Sequence, residues 1–329
     1  MNEKIRWGIL GTGNIAHKFA TGLTVVDDAE LVAVGSRTQE GADKFADEFG
    51  ATHRHASYEA LANDPEVDAI YVSTPHPFHK DNSILCLNAG KAVLCEKPFT
   101  INTREAEEVI AVARAKKLFL MEAMWTRYAP VMFKIRELIG QGVIGEVRMI
   151  NADFGFRAGF DPKSRTFAPE LGGGGLLDVG IYPISLASML LGEPSEIIST
   201  ATLGETGVDE QSVVLLKYAG GQIAITSSAV RTTTPWEAFI MGTEGMIHIP
   251  AVWWKPEAFT LKANGEPDQR FDLPFTGNGY NYEAIEVGRC LRAGELESPV
   301  MPLDETLSIM RTMDAARAQW GLVYPTERV

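Results

Sequence analysis

Short apolar runs alternate with amphipathic stretches along the first third of the chain. Ile5 to Leu10 reads as a strand, and Gly11-Thr12-Gly13-Asn14-Ile15-Ala16 leads from it into a helical pattern in which His17, Phe19, Ala20 and Leu23 recur. Glu30 to Gly35 is a second apolar strand, Gln39 to Phe49 a helix, and Ala69 to Ser73 a third strand after the turn signal Asn63-Asp64-Pro65. Asn82 to Ala89 predicts a helix closed by Gly90, followed by the strand Ala92 to Cys95. A further helix runs from Thr103 to Lys117, with Asn102 as its cap and Glu105 three residues on, and leads to the strand-like Leu118 to Glu122. Strands alternating with helices predict an α/β domain, a Rossmann-type doubly wound parallel sheet over residues 1–123.

The period changes after Glu146. Val147, Met149 and Asn151 alternate with Arg148, Ile150 and Ala152, and strand patterns follow at Glu196 to Leu203, Ser212 to Tyr218, Gln222 to Val230, Trp236 to Met241 and Gly245 to Ile249. Ala219-Gly220-Gly221 and Thr243-Glu244-Gly245 supply hairpin turns. Residues 124–329 therefore read as an α+β domain with a large, mainly antiparallel open sheet. Few helical patterns remain to cover that sheet, which predicts a homo-oligomer, dimer or tetramer, formed through its open face. The last helix, Asp304 to Trp320 with Gly321 after it, is free to pack back on the first domain.

Composition narrows the function classes. A chain of 329 residues, 45% hydrophobic and 22% charged, is long enough for two domains and too apolar to be disordered. Lys+Arg 30 against Asp+Glu 43 leaves −13, a field that repels phosphate backbones and anionic lipid, so neither nucleic acid nor a membrane is an expected partner. The start, Met1-Asn2-Glu3-Lys4, runs straight into a strand with no long apolar leader. No stretch is expected to approach the ~18 apolar residues of a membrane span, and a cytoplasmic location is expected. Cys86, Cys95 and Cys290 are odd in number and lack CxxC spacing, so reduced, buried thiols are expected rather than a disulfide framework or a zinc site.

Gly11-x-Gly13-x-x-Ala16, between a strand and a helix, has the form of a dinucleotide fingerprint, with Gly11, Thr12, Gly13, Asn14 and Ile15 facing a pyrophosphate. At the end of the second strand, where Asp or Glu would hold the ribose hydroxyls of NAD, stand Ser36 and Arg37. A guanidinium pairs with a 2′-phosphate, so the expected cofactor is NADP in preference to NAD. Lys97, in Cys95-Glu96-Lys97-Pro98, sits at the carboxyl end of a strand of the same sheet, where such folds bind ligands, and Pro98 is open to a cis peptide. In Gly172-Gly173-Gly174-Gly175-Leu176-Leu177-Asp178-Val179-Gly180-Ile181-Tyr182, Asp178 and Tyr182 are four apart and share a helical face. A surface lysine, a helix-start Asp and a packed Tyr would look the same taken singly.

Together these segments, with Ser73-Thr74-Pro75-His76-Pro77-Phe78-His79 and Ala89-Gly90-Lys91-Ala92-Val93-Leu94, resemble the Gfo/Idh/MocA oxidoreductases over nearly the whole chain. Met121-Glu122-Ala123-Met124-Trp125-Thr126-Arg127 and the tyrosine at 182 resemble more narrowly its dimeric dihydrodiol dehydrogenase and NADP-dependent D-xylose 1-dehydrogenase branch. Val208-Asp209-Glu210, Gly242-Thr243-Glu244-Gly245-Met246 and Tyr282-Glu283-Ala284 extend the likeness. The resemblance implies Lys97 and Tyr182 as the acid/base pair, and Asp178 orienting Lys97 or a substrate hydroxyl. It implies Trp125, Phe154 and Trp254 lining the substrate pocket, and Thr74, Pro75, His76, Glu96 and Arg165 near the cofactor.

The implied reaction moves a hydride between a trans-dihydrodiol or an aldose, at its anomeric carbon, and the nicotinamide, while Lys97 and Tyr182 handle the proton. Two alternatives stand beside it: a dehydrogenase or reductase of another sugar or polyol, and a non-catalytic NADP-binding regulator. His53 and His55, flanking Arg54 in an expected helix-to-strand connection, have no Cys or carboxylate at ligand spacing and read as surface residues, with no metal expected. Of Trp253 and Trp254, one is expected in the pocket and the other in packing, since neighbours on a strand face opposite ways.

Overall fold

The computed structural model describes residues 4–327. The first three residues of the expected N-terminal domain and the last two of the second lie outside the described residues. Two compact units divide the chain: residues up to Tyr128 with Thr276–Thr306, and Ala129–Phe275 with the residues from Leu307 on. Where the sequence suggests one cut at 123/124, the first unit takes up a second, distant segment.

The first unit is a six-stranded parallel sheet of β1 (Ile5–Leu10), β2 (Ala29–Gly35), β3 (His53–His55), β4 (Ala69–Val72), β5 (Ala92–Glu96) and β6 (Leu120–Ala123). Their order is β3-β2-β1-β4-β5-β6. Every residue of β4 and β5 is buried, which explains apolar runs without alternation. Side-chain caps start three of the intervening helices: Thr38 accepts from Gly41 N, Ser57 from Ala60 N and Asn102 from Glu105 N. The Phe19 ring stacks on Tyr71 at 3.9 Å and meets Trp7 edge-on at 5.1 Å, fixing the first helix, Asn14–Leu23, against the sheet. Helix Asn281–Ala293 completes this unit, where Asn278 Nδ2 donates to Lys18 O (2.7 Å) and Leu120 N to Leu296 O (3.1 Å).

The second unit holds an eight-stranded sheet of β7 (Val147–Gly155), β8 (Glu196–Leu203), β9 (Asp209–Lys217), β10 (Ile223–Ala229), β11 (Ala238–Gly242), β12 (Gly245–Ile249), β13 (Ala258–Ala263) and β14 (Gln269–Asp272). The order is β14-β13-β12-β11-β7-β10-β9-β8, antiparallel throughout except for β7 beside β10. Both expected hairpin turns join antiparallel neighbours, β9 to β10 and β11 to β12. Helix Ile181–Leu191 lies against β7 and β10 and covers one face.

Three sequence expectations need correction. The run Pro169–Leu191 does have the length and apolarity of a membrane span, but 83% of its apolar window is buried within the protein, as in the core helix of a soluble fold. His53 and His55 lie on a strand, β3, rather than in a connection, and a carboxylate, Asp64, is within reach of both. Asp178 stands in a π-turn, Leu176–Gly180, with only Tyr182 in the α-helix that follows, so the spacing of four does not mark a single α-helical face.

Candidate active site

All strands of the first sheet are parallel, so the loops leaving their carboxyl ends share one edge. From β1 the chain winds outward to β2 and β3, then returns to place β4 on the other side of β1, making the β1/β4 boundary the topological switch point. Gly11 leaves β1 at φ +105°, a conformation L side chains rarely adopt, and its N–H donates to Gly35 O (2.9 Å). A Cβ built there falls 3.0 Å from Ser73 Oγ, which itself donates to Leu10 O (3.0 Å), so the two loops are in close contact.

The fingerprint residues frame space rather than protein. Gly13 is the N-cap of Asn14–Leu23, no side chain caps this helix, and a Cβ on Gly13 meets nothing within 4 Å. Uncapped N–H groups with free space before them suit an anionic phosphate. Thr12 and Ile15 are half-buried and Asn14 exposed. After β2, Ser36 is buried with its N–H on His55 O (3.0 Å), while the exposed Arg37 forms no ion pair among the described residues. Burial pushes the neighbouring Tyr58 phenol up, and the Arg37 charge pulls it back.

After β4, Thr74 and His76 are buried and Pro75 is exposed. The His79 ring, which sequence reasoning left unassigned, bridges this turn to the next: Nε2 lies 2.7 Å from Thr74 O and Nδ1 2.8 Å from Pro98 O. Burial lowers the pKa of His79, while the two carbonyls favour an N–H on each nitrogen. The Lys97–Pro98 peptide is cis. Below it, Glu96 accepts from the Tyr71 hydroxyl and from Lys97 N (3.2 Å). Glu283, wholly buried, is raised well above the usual carboxylate range by burial and then by the Glu96 charge. Burial likewise pushes Glu122 up to about 7, although it accepts from Thr306 Oγ1 (3.0 Å) and Phe99 N (3.2 Å). Trp125 is buried and stacks on Tyr280, 4.8 Å between centroids.

The second unit assembles its own cluster. Gly174 has φ +111°, and a Cβ on it would lie inside 3.0 Å of Asp209 Oδ1. That close approach seats the Asp209 carboxylate on the start of the π-turn, where Oδ2 accepts from Leu176 N (2.7 Å). Burial pushes Asp209 up to about 7 against the pull of those N–H groups. Asp178 pairs with Arg165, Nη1 to Oδ1 at 3.1 Å and Nη2 to Oδ2 at 3.4 Å. Tyr182 is buried, its ring 5.3 Å from Phe154, and Phe154 stacks flat on Trp254 at 3.4 Å and 11°. Trp236 meets Trp254 edge-on at 5.4 Å. Trp253 is fully buried with Nε1 on Asp153 O (2.6 Å), so Trp253 is the packing residue and Trp254 the one beside Phe154.

Gly11 to Ile15, Ser36, Arg37, Thr74 to His76, Glu96, Lys97 and Trp125 thus belong to the first unit, and Phe154, Arg165, Asp178, Tyr182 and Trp254 to the second. Tyr71, Tyr280 and Glu283 beneath Lys97, and the support of Asp209, were not assigned roles from sequence. The Gly174 position, in a run of four glycines, was the signal for the last of these.

The family model described as "Oxidoreductase family, NAD-binding Rossmann fold" matches residues 5–124, and that of the "GFO/IDH/MocA C-terminal domain" matches 132–248. The trans-1,2-dihydrobenzene-1,2-diol dehydrogenase of Mus musculus is 40% identical over 336 residues, 98% of this chain and 99% of that protein. The human protein of the same name is 37% identical over 333 residues, with 98% and 99% covered. Among solved structures, a 3-ketoreductase from Actinomadura kijaniata in complex with NADP and TDP-benzene has a TM-score of 0.86 at 27% identity, covering 96% of this chain and 98% of that one. An aldose-aldose oxidoreductase from Caulobacter crescentus complexed with glycerol gives 0.88 at 25%, covering 98% and 100%. Fold and matches together define an oxidoreductase with a Rossmann domain. The chain belongs to the Gfo/Idh/MocA oxidoreductase family.

Proposed function

We propose that this chain is an NADP-dependent dehydrogenase that oxidises a CH–OH group of a trans-dihydrodiol, or of an aldose such as D-xylose at its anomeric carbon. The observation that carries the reading is the Tyr182 phenol packed against the Phe154–Trp254 stack, a proton-handling group beside a flat aromatic surface. Such a surface takes an arene ring or the apolar face of a sugar. The naming of the full-length relatives as dihydrodiol dehydrogenases favours the first, and the aldose-aldose oxidoreductase favours the second.

The residues present fit a phosphorylated dinucleotide. The open space at Gly13 accepts a pyrophosphate on the N–H groups of Asn14 and Ile15, with Thr12 beside them, and Ser36 and Arg37, standing where an acid would repel it, hold a 2′-phosphate. Thr74, Pro75, His76 and Glu96 line the same sheet edge, and Arg165 is assigned to the cofactor as well. When bound, the nicotinamide accepts the hydride. Tyr182 removes the hydroxyl proton, and the Lys97 ammonium favours the phenolate, which an unperturbed Tyr of pKa ~10 would not supply at neutral pH. Asp178, held by Arg165, orients Lys97 or a substrate hydroxyl. Trp125 belongs with Phe154 and Trp254 to the substrate pocket in this reading.

The same chemistry on another sugar or polyol is the second reading. We further propose a homo-oligomer, dimer or tetramer, through the open face of the eight-stranded sheet, where Met149, Ile198 and Val213 are exposed. Light scattering tests it, and a monomer would overturn it.

The function is tested by following reduced cofactor with NADP⁺ and a panel of trans-dihydrodiols, D-xylose and D-glucose. Turnover on at least one class is expected, with Lys97→Met and Tyr182→Phe each losing roughly 10²- to 10⁴-fold in kcat. A flat trace across the panel, with cofactor binding intact by fluorescence, favours the regulator. Unchanged kcat in correctly folded variants removes the roles of those two residues.

A further inference from the structure

The cluster of His53, His55 and Asp64 lies at the outer edge of the first sheet, on groups the proposed reaction does not use. β3 is the edge strand, and residues two apart on a strand face the same way, so both imidazoles stand on one side. Arg54 between them faces the other way, onto Asp47 Oδ1 (2.7 Å) and Asp43 Oδ1 (3.8 Å). Asp64 rises into the space between the rings from the turn after helix Tyr58–Ala62. A single oxygen, Asp64 Oδ2, lies 2.6 Å from His53 Nδ1 and 2.8 Å from His55 Nε2. The other, Oδ1, accepts from Glu66 N (2.9 Å), which fixes the carboxylate plane.

The carboxylate is set between three donors, His55, the Glu66 N–H and His53. Its side chain is 3% exposed, whereas the two rings are 38% and 23% exposed. Lys91, a cation held against this turn, is engaged on main-chain oxygens, Asp64 O (2.6 Å) and Val67 O (2.7 Å), and Arg6 on Glu66 and Asp68.

We propose that His53 Nδ1, His55 Nε2 and Asp64 Oδ2 form a binding site for one divalent transition-metal ion of the zinc, cobalt or nickel kind. The three ligand atoms lie within 4.8 Å of one another. Two imidazole nitrogens and one carboxylate suit borderline ions, while Mg²⁺ and Ca²⁺ demand oxygen ligands throughout. A metal at ~2.0–2.1 Å from each ligand needs them roughly 3.3 Å apart, slightly wider than the present hydrogen bonds. The partly exposed rings swing outward in this proposal to open that gap while Asp64 stays fixed, and water completes the coordination. On binding, each ring nitrogen that now donates to Asp64 gives its proton to the other nitrogen of its ring or to solvent, and its lone pair goes to the metal.

The test is isothermal titration of the untagged full chain with Zn²⁺, with Co²⁺ absorption as the spectroscopic probe. One ion per chain is expected, saturating in the micromolar range, with visible Co²⁺ bands, weaker binding at lower pH, and no uptake of Mg²⁺. The double variant His53→Gln/His55→Gln should lose about 100-fold or more in affinity. The single variant His53→Gln, at the more exposed ring, should lose at least about tenfold while its circular dichroism is unchanged, and keeps the test decisive should the double variant misfold. His17→Gln, at a histidine of the first helix that is not among the three ligands, should bind as the parent does. No saturable uptake up to about 1 mM, or full affinity in His53→Gln, overturns the proposal.

Discussion

Replacing Gly174 by Ala isolates how the second unit holds its glycine-rich turn. Two costs follow from its geometry. At φ +111° an L side chain is strained, by ~1–3 kcal/mol. The added methyl also enters the space of Asp209 Oδ1, inside a separation real Cβ atoms essentially never show, and overpacking of this kind costs typically ~1–3 kcal/mol. The carboxylate cannot retreat freely, because Oδ2 carries the Leu176 N–H bond at 2.7 Å. The sum, ~2–6 kcal/mol, is a large fraction of the ~5–15 kcal/mol that stabilises an ordinary protein. Urea denaturation of the parent, Gly174→Ala, Asp209→Ala and the double variant forms a cycle that separates the terms. In the Asp209→Ala background the clash vanishes and only the backbone strain remains, so the cost of Gly174→Ala should fall by ~1–3 kcal/mol. An equal cost in both backgrounds, or a total below about 1 kcal/mol, would refute the reasoning.

Arg37→Glu should weaken NADP binding by roughly 10- to 100-fold with little change for NAD, since a charged hydrogen bond contributes ~1.5–3 kcal/mol; fluorescence titration of both reduced cofactors checks it, and an equal loss for the two contradicts a 2′-phosphate role. Asp209 titrates near 7 in the fold against an ordinary value of 3.8, so its contribution to stability is full below about pH 4 and is lost as pH rises to about 7. The stability of the parent relative to Asp209→Asn should therefore fall by up to ~1.4 kcal/mol per pH unit across that window; a difference independent of pH would mean the carboxyl is already ionised in the fold.

The first sheet is readable because its central strands are apolar on both faces and the helix after β5 announces itself through its cap at Asn102. Helix Asn281–Ala293 escapes notice because its buried face carries Asn281, Glu283 and Glu286, which breaks the apolar period. The return of that segment to the first unit is a long-range event with no local signature. β3 is only three residues long and its middle and flanking side chains are Arg and His, so it reads as a connection. The glycine fingerprint and the Lys97–Pro98 turn lie in short motifs with a mechanical reason for each residue. The support beneath them does not, because Tyr71, Tyr280 and Glu283 are brought to Glu96 by folding from positions far apart in sequence. The Trp253/Trp254 ambiguity is resolved only by the buried Nε1 bond to Asp153 O.

The discontinuous make-up of the first unit bears on how the protein is born. Its sheet is finished by residue 123, yet the segment that supplies Tyr280 and Glu283 emerges only after the whole eight-stranded sheet has been synthesised. At roughly 5–20 residues per second the nascent half-unit waits on the order of 10–40 s for its last piece, with Trp125 lacking its stacking partner Tyr280. Any attempt to express or transplant this half as residues 1–123 alone starts from that same unfinished nascent state, so a graft has to carry Thr276–Thr306 along with it.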